Sequence, residues 1–172
     1  MPSNINHWVP TEGLGQKTFQ QCWYASYRMI YWSLGKNIDS VKTKLETVID
    51  FPEAMKEGLL DNDYMKCATA LGFDAWLGKH FNQKRGWSDV GMSDGAEALY
   101  AVLKKGPVWV SRKNDSGSFH ITVLRGYDDS DGYFVYNNPY PGPKDAVVQR
   151  MRSDFYARGI TYAAGSVQRS RK

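Results

Sequence analysis

The hydrophobic periodicity of this chain changes at Gly106-Pro107, and this change constrains the fold more than any other feature. Before it, apolar residues recur at helical spacing, whereas after it they alternate with polar residues as in strands. We predict helices at 22–34, 40–49, 62–71 and 94–105, and strands at 108–112, 119–127 and 132–138. Helices followed by strands with short turns indicate an α+β fold, with N-terminal helices packed on a small C-terminal antiparallel sheet.

The remaining segments have no sustained period. We expect residues 1–21 to form an extended arm and loop, and 73–92 to form a strand fragment and a long connection. We assign 1–165 to a single domain. Residues 141–172 hold seven Lys and Arg against two Asp, and the chain ends in SVQRSRK, so we expect 166–172 to be a basic, flexible tail.

Composition excludes several classes of protein. A chain of 172 residues with 14% aromatic residues fits one globular domain rather than a disordered or collagen-like protein. No apolar run reaches the roughly 18 residues of a membrane span, and the N-terminus lacks the pattern of a signal peptide. The basic tail is a poor footprint for nucleic acid, and we expect no nucleic-acid or membrane partner. Two cysteines, Cys22 and Cys67, allow at most one disulfide, so we interpret both as thiols.

Cys22 begins the first strongly helical segment, directly after a loop that contains glycine. A thiol at a helix N-terminus meets the positive end of the helix dipole and unpaired backbone N–H groups, which favour the thiolate. Gln16 lies six positions earlier, and its amide together with a backbone N–H would supply two donors to an oxyanion. Taken alone, a cysteine on an apolar helix is more often a packing residue, and a loop glutamine is usually only solvated.

His120 begins an apolar strand after a Gly/Ser turn, and Asn138 ends the next strand, before Pro139-Tyr140. Two strands joined by a short turn are antiparallel neighbours, so we expect the two side chains to lie close together. The Asn138 carbonyl would then accept a hydrogen bond from the imidazole and orient it toward a nucleophile. Asn137 competes for this role, but strand alternation puts it on the opposite face.

Together these residues resemble the papain-like cysteine proteases. The segment Gln16-Lys-Thr-Phe-Gln-Gln-Cys22-Trp23 is similar to the family's glutamine, five intervening residues, cysteine and tryptophan. His120 with its apolar strand resembles the strand that carries the family's base, and Asn138-Pro139-Tyr140 stands where the family has its orienting residue and a shielding aromatic. The order Gln, Cys, His, Asn is intact over about residues 14 to 143.

The resemblance implies a papain-like fold with the active cleft between the helices and the sheet. It implies hydrolysis of a peptide bond of a protein substrate through an acyl-enzyme, with no metal or organic cofactor. The catalytic residues implied are Cys22 as nucleophile, His120 as base, Asn138 as orienting residue and Gln16 as oxyanion donor. The substrate-binding residues implied are Trp23, Phe119 and Tyr140.

Two departures indicate the compact bacterial branch, which includes secreted effector proteases and bacteriocin leader peptidases. The spacing from Cys22 to His120 is shorter than the roughly 130–150 residues of papain and the cathepsins. Phe19 stands where the family's Cys-Gly-Ser-Cys-Trp run has its other cysteine. We therefore expect a toxin or effector that is made in the bacterial cytoplasm and exported by a specialised system. It would act in the cytosol of a target cell and be neutralised in the producer by a cognate immunity protein.

Two other functions stay open. The same triad would serve an amidase, deamidase or acyltransferase acting on peptidoglycan or glutamine side chains. Gln21-Cys22-Trp23 lacks, however, the Asp before and Ser-Gly after the cysteine of cell-wall amidases. Alternatively, the chain is a non-catalytic basic binding module in which Cys22 only packs. A hyper-reactive, low-pKa cysteine would distinguish the enzymes from the module.

Competing sites fit the sequence less well. DDSDG at 128–132 lacks the acidic residue that completes a calcium loop, so we predict a hairpin turn. Cys22, Cys67 and His120 have no paired ligand spacing of the kind that zinc sites show. We expect the two other histidines, His7 and His80, to face solvent.

Overall fold

A computed structural model describes residues 2–82, 92–114, 116–140 and 144–171. The described residues form six α-helices and three short 3-10 turns. The helices are α1 (Cys22–Ser33), α2 (Asp39–Leu45), α3 (Phe51–Glu57), α4 (Tyr64–Leu71), α5 (Asp94–Leu103) and α6 (Ser153–Arg158). The 3-10 turns are Phe19–Gln21, Asp61–Asp63 and Gly78–His80.

The strands form one antiparallel sheet. In chain order they are β1 (Ile5–Asn6), β2 (Phe73–Leu77), β3 (Val108–Lys113), β4 (Phe119–Asp128), β5 (Tyr133–Asn138), β6 (Val147–Arg152) and β7 (Ala164–Ser170). Their order across the sheet is β2-β7-β3-β4-β5-β6, and β1 pairs with the far end of β4. The predicted α+β class is confirmed.

Helices cover both faces of this sheet. A first cluster of buried residues joins α1, α2, α3 and α4 to Trp109, Ile121 and Val123, and a second joins α5 and α6 to Val108 and Leu124. Up to residue 124, odd-numbered apolar residues of β3 and β4 therefore face α1 and even-numbered ones face α5 and α6, because successive side chains of a strand point to opposite faces. A register shift between Leu124 and Gly126 then turns Tyr127 toward α5. Helices were predicted on one side of the sheet only, and the structure adds a second helical layer, α5 and α6, on the other side.

Aromatic packing holds α1 against the sheet. The ring of Tyr27 stacks on that of Trp109 with centroids 5.1 Å apart and planes 12° from parallel. Trp109 Nε1 donates a hydrogen bond to the Trp23 carbonyl oxygen at 3.2 Å. The first turn of α1, which carries Cys22, is therefore fixed relative to β3 and β4.

The prediction that 166–172 is a flexible tail is wrong. Residues 164–170 form β7, which lies between β2 and β3, with Val167 and Gln168 fully buried. Gln168 Oε1 accepts a hydrogen bond from the Tyr27 hydroxyl at 2.8 Å, and its Nε2 donates to the Gly165 and Tyr64 carbonyls. A polar residue can occupy a central strand when its side-chain hydrogen bonds are satisfied. Because β7 contains such a residue, its sequence lacks the apolar pattern by which a buried strand is predicted.

Several element boundaries also differ from the prediction. The second helix ends at Leu45 rather than at residue 49, and Pro52 lies in the first turn of α3 instead of only ending the preceding helix. A proline is favourable there because a residue in the first helical turn needs no N–H partner within the helix.

The strand fragment predicted after residue 73 is β2, and part of the long connection, 83–91, lies outside the described residues. Residues 129–132 form the turn between β4 and β5, as predicted. Within the described ranges, no helix is long and apolar enough to cross a lipid bilayer.

Candidate active site

Cys22 is the first residue of α1, and the 3-10 turn Phe19–Gln21 leads directly into it. The side chain is 6% exposed and lies against the start of β4, because the Cys22 thiol is within hydrogen-bonding reach of the Ile121 backbone. One turn further along α1, Ser26 Oγ donates to the Ile121 carbonyl oxygen at 3.4 Å. The helix thus holds the thiol beside the residue that follows His120 in the sequence.

Burial raises the pKa of the Cys22 thiol to about 11. Hydrogen bonds with the backbone of Ile121, Trp23 and Cys22 itself oppose this rise but do not cancel it. This direction is opposite to the one expected from the position of Cys22 at the helix N-terminus. Loss of water around the sulfur disfavours the charged form more than the helix N-terminus favours it.

His120 lies near the start of β4, and its Nε2 is 2.6 Å from Asn138 Oδ1. The same Oδ1 accepts the backbone N–H of Tyr140 at 3.0 Å. A backbone N–H can only donate, so this contact identifies the atom as the amide oxygen, and His120 Nε2 must carry the proton. In the neutral ring, Nδ1 is then the unprotonated nitrogen.

The sheet determines which face the Asn138 side chain points to. Asn138 is the last residue of β5, and Asn137 points to the opposite face, where its Nδ2 donates to the Val9 carbonyl oxygen at 3.2 Å. Asn138 Nδ2 in turn donates to Oε1 of Gln149 on β6 at 3.0 Å. Gln149 was not singled out from the sequence, because only the pairing of β5 with β6 reveals that it shares a face with Asn138.

Burial lowers the pKa of His120. The hydrogen bond to Asn138 raises it, and the charge of Arg112, its cross-strand partner on β3, lowers it further. Arg112 is held by Tyr156 and Phe155 of α6, whose carbonyl oxygens accept from its Nε at 2.9 Å and its Nη2 at 3.4 Å. With a raised thiol pKa and a lowered imidazole pKa, both groups are neutral near pH 7.

Gln16 is buried in the loop before α1. Its backbone N–H donates to the Pro139 carbonyl oxygen at 2.9 Å, which joins this loop to the segment that follows Asn138. Its Nε2 donates to the carbonyl oxygens of Thr18 at 3.0 Å and Phe19 at 3.3 Å. The Nε2 group that is predicted to hold the oxyanion thus donates to two carbonyl oxygens of its own loop.

The three predicted substrate-binding residues differ in accessibility. Trp23 is fully buried, and its Nε1 donates to the Ala54 carbonyl oxygen, so its assignment to substrate binding is wrong. It packs in the core because its ring faces the aromatic rings of α1 and α3. Phe119 directly precedes His120, Tyr140 follows Asn138 by two residues, and both side chains are exposed. The ring of Phe19 lies 5.1 Å from that of Tyr140.

The other histidines and the second cysteine lie elsewhere. His80 is exposed, as expected, but His7 is half-buried, with Nε2 2.6 Å from the Leu103 carbonyl oxygen. Cys67 is fully buried in α4, and burial raises its pKa to about 12. Within the described part of the chain, no group of three or more His, Cys, Asp or Glu residues could hold a metal ion.

The chain also matches a known protein family. The sequence model of a family described as papain-like cysteine protease AvrRpt2 matches residues 4–154, which is most of the chain. The chain belongs to this family. The resemblance drawn from the sequence is confirmed at that level, and the chain is a papain-like cysteine protease with a protein or peptide substrate. The search of curated proteins gave no match.

Proposed function

We propose that this protease is an endopeptidase that forms an acyl-enzyme on Cys22, with His120 as general base and Asn138 as its orienting residue. The observation that carries this proposal is the hydrogen bond from His120 Nε2 to Asn138 Oδ1, with the Tyr140 N–H fixing the amide. It gives Nδ1 the lone pair that a base needs. The position of the Cys22 thiol against Ile121, next to His120, supports the choice of nucleophile.

In the first step, His120 Nδ1 accepts the thiol proton while Cys22 Sγ attacks the carbonyl carbon of the scissile bond. The electron pair of the carbonyl moves to its oxygen. When the tetrahedral intermediate collapses, the C–N bond breaks and the amine leaves with the proton from His120. Water, with its proton taken by His120, then hydrolyses the thioester and restores the thiol.

The oxyanion would be held by the Cys22 backbone N–H and by Gln16 Nε2. Gln16 must then exchange one of its bonds to the Thr18 and Phe19 carbonyls for a bond to the substrate. Among the described residues, no hydrogen bond joins Cys22 to His120, so these two groups must also approach each other when substrate binds. Catalytic hydrogen bonds are often long before the substrate is bound.

The test is peptide hydrolysis by Cys22→Ala and by its matched control Cys67→Ala. The first variant should lose all turnover and keep its fold, because the thiol contributes little packing. The second should retain turnover, since Cys67 lies in α4 away from the His120–Asn138 pair. Substantial hydrolysis by Cys22→Ala, or its loss in a folded Cys67→Ala, would overturn the assignment.

The family supports proteolysis over the alternative of an amidase, deamidase or acyltransferase with the same triad. These reactions differ in product, because a deamidase releases ammonia from glutamine side chains without cutting the chain. Incubation of a cytosolic proteome with wild type and Cys22→Ala therefore separates them. New N-termini support the protease, whereas ammonia without new N-termini supports the deamidase.

We also propose that the protease is a bacterial effector or toxin, exported by a specialised system and restrained in its producer by an immunity protein. The support is the resemblance to compact bacterial members. Expression of wild type alone should slow the growth of a host, Cys22→Ala should relieve this, and co-expression of a neighbouring gene should protect. Healthy growth with confirmed expression of active wild type would contradict the toxin role and leave the protease assignment standing.

A further inference from the structure

A small concave pocket lies on the side of α1 that faces the Gln16 loop. Its wall consists of Gly15, Gln16, Lys17, Gln21, Tyr24, Ala25, Arg28 and Met55. Gln21, Tyr24, Ala25 and Arg28 follow one another at the spacing of a single helix face, so the pocket runs along α1. Its volume is about 190 Å³. This is less than the 300–1,000 Å³ of sites for drug-sized ligands and suits one amino-acid side chain.

The charge of this pocket is positive. Lys17 and Arg28 both belong to its wall, and among the described residues no Asp or Glu lines it. The acidic groups whose charges act on Tyr24 are Asp39 in α2 and Glu46 directly after it, but neither lines the pocket, and Glu46 is paired with Lys42 at 3.3 Å. Within the described ranges, the wall thus holds two cations and no anion.

The Arg28 guanidinium lies in a partly buried environment beside Tyr24. It is half-buried, with Cζ 5.6 Å from the ring centroid of Tyr24, and Nε is buried without a hydrogen-bond partner among the described residues. Because Arg28 also lines the pocket, an anionic side chain bound there would meet its positive charge.

We propose that this pocket is a substrate subsite for an acidic side chain, the carboxylate of Asp or Glu, held by Arg28 and Lys17. This inference rests on the proposed function and names its substrate class. Arg28 follows Cys22 by six residues, about 9 Å along the helix axis at 1.5 Å per residue. An extended peptide rises about 3.3 Å per residue. Gln16, the proposed oxyanion donor, belongs to the same wall, so the acidic side chain belongs within about three residues of the cleaved bond.

The experiment is cleavage-site mapping on a peptide library with wild type, Arg28→Glu, Lys17→Glu and the distant exposed control Lys105→Glu. For wild type, one position near the cleaved bond should be enriched in Asp and Glu. A matched pair of peptides with Glu or Gln at that position should differ in kcat/KM on the order of tenfold, as expected for a hydrogen bond to a charged group. Lys105→Glu should show the same preference as wild type.

Arg28→Glu should reverse the preference toward Lys and Arg at the same position, and Lys17→Glu should weaken it. Lys17 is exposed, so its variant keeps the test valid even if Arg28→Glu is unstable. Cleavage by wild type with no acidic preference, with a preference for Asn and Gln, or with an acidic preference that both variants retain would overturn the subsite. The absence of any Cys22-dependent cleavage would instead overturn the proposed function and the subsite with it.

Discussion

At the scale of single residues, the contact between His120 and Asn138 carries the site. His120→Ala removes the base, and turnover should fall by about 10²–10⁴-fold. Asn138→Ala leaves the imidazole but not its fixed tautomer, so we expect a smaller loss. The measurement is kcat/KM of both variants on one peptide.

Asn137→Ala is the matched control for Asn138→Ala. Asn137 is buried and bonded to the Val9 carbonyl oxygen, so its loss should lower the free energy of unfolding by about 1–3 kcal/mol while the folded enzyme remains active. If Asn137→Ala, measured where it is folded, impairs kcat/KM more than Asn138→Ala, the role of Asn138 is wrong.

Gln149 allows a second prediction at this scale. In Gln149→Glu, a carboxylate would accept the bond from Asn138 Nδ2, and its negative charge would stabilise the imidazolium of His120. The pKa of His120 should rise, and the acid limb of the kcat/KM profile should move to higher pH. Val148→Glu adds the same charge on the other face of β6 and should move the limb less. Equal shifts in the two variants would show that Gln149 acts only through long-range charge.

At the scale of elements, β7 distinguishes the structure from the sequence-based prediction most clearly. Deletion of 166–172 would remove the strand between β2 and β3, leave β2 and residues 108–110 of β3 without their partner strand, and remove the bond between Gln168 and Tyr27. We expect no cooperative thermal transition and loss of near-ultraviolet circular dichroism. Deletion of 171–172 removes the exposed ion pair of Arg171 with Asp74 and the backbone hydrogen bond from Arg171 to the Gly72 carbonyl oxygen, and it should change the midpoint little. A folded, active 1–165 fragment would contradict this.

The sequence contained enough to predict the elements with strong periodicity. α1, α5 and the strands β3, β4 and β5 have clear apolar patterns, and they carry Cys22, His120 and Asn138. β6, α6 and β7 were missed because polar and basic residues interrupt their apolar patterns. Pairing with neighbouring strands orders β6 and β7. The burial of Trp23 and the raised pKa of Cys22 also depend on tertiary packing, which local pattern does not encode.

At the scale of the whole molecule, burial sets the pH dependence of the enzyme. The imidazole must be neutral to act as base, so activity should fall as the pH drops through the pKa of His120, which is lowered from 6.5. The acid limb of kcat/KM should therefore lie below pH 6.5. The ultraviolet absorbance of the Cys22 thiolate, obtained as wild type minus Cys22→Ala, should rise only near pH 11. A thiolate signal at neutral pH would show a preformed ion pair instead.

The most direct measurement of the catalytic assignment is the intact mass of the protein after acid quenching during turnover of a slowly hydrolysed peptide ester. Wild type should gain the mass of the acyl group, and peptide mapping should locate it on Cys22. Cys67→Ala should acquire the same adduct, and His120→Ala should acquire it far more slowly. An acyl group on another residue, or hydrolysis at the wild-type rate by Cys22→Ala, would contradict the role of Cys22 as the nucleophile.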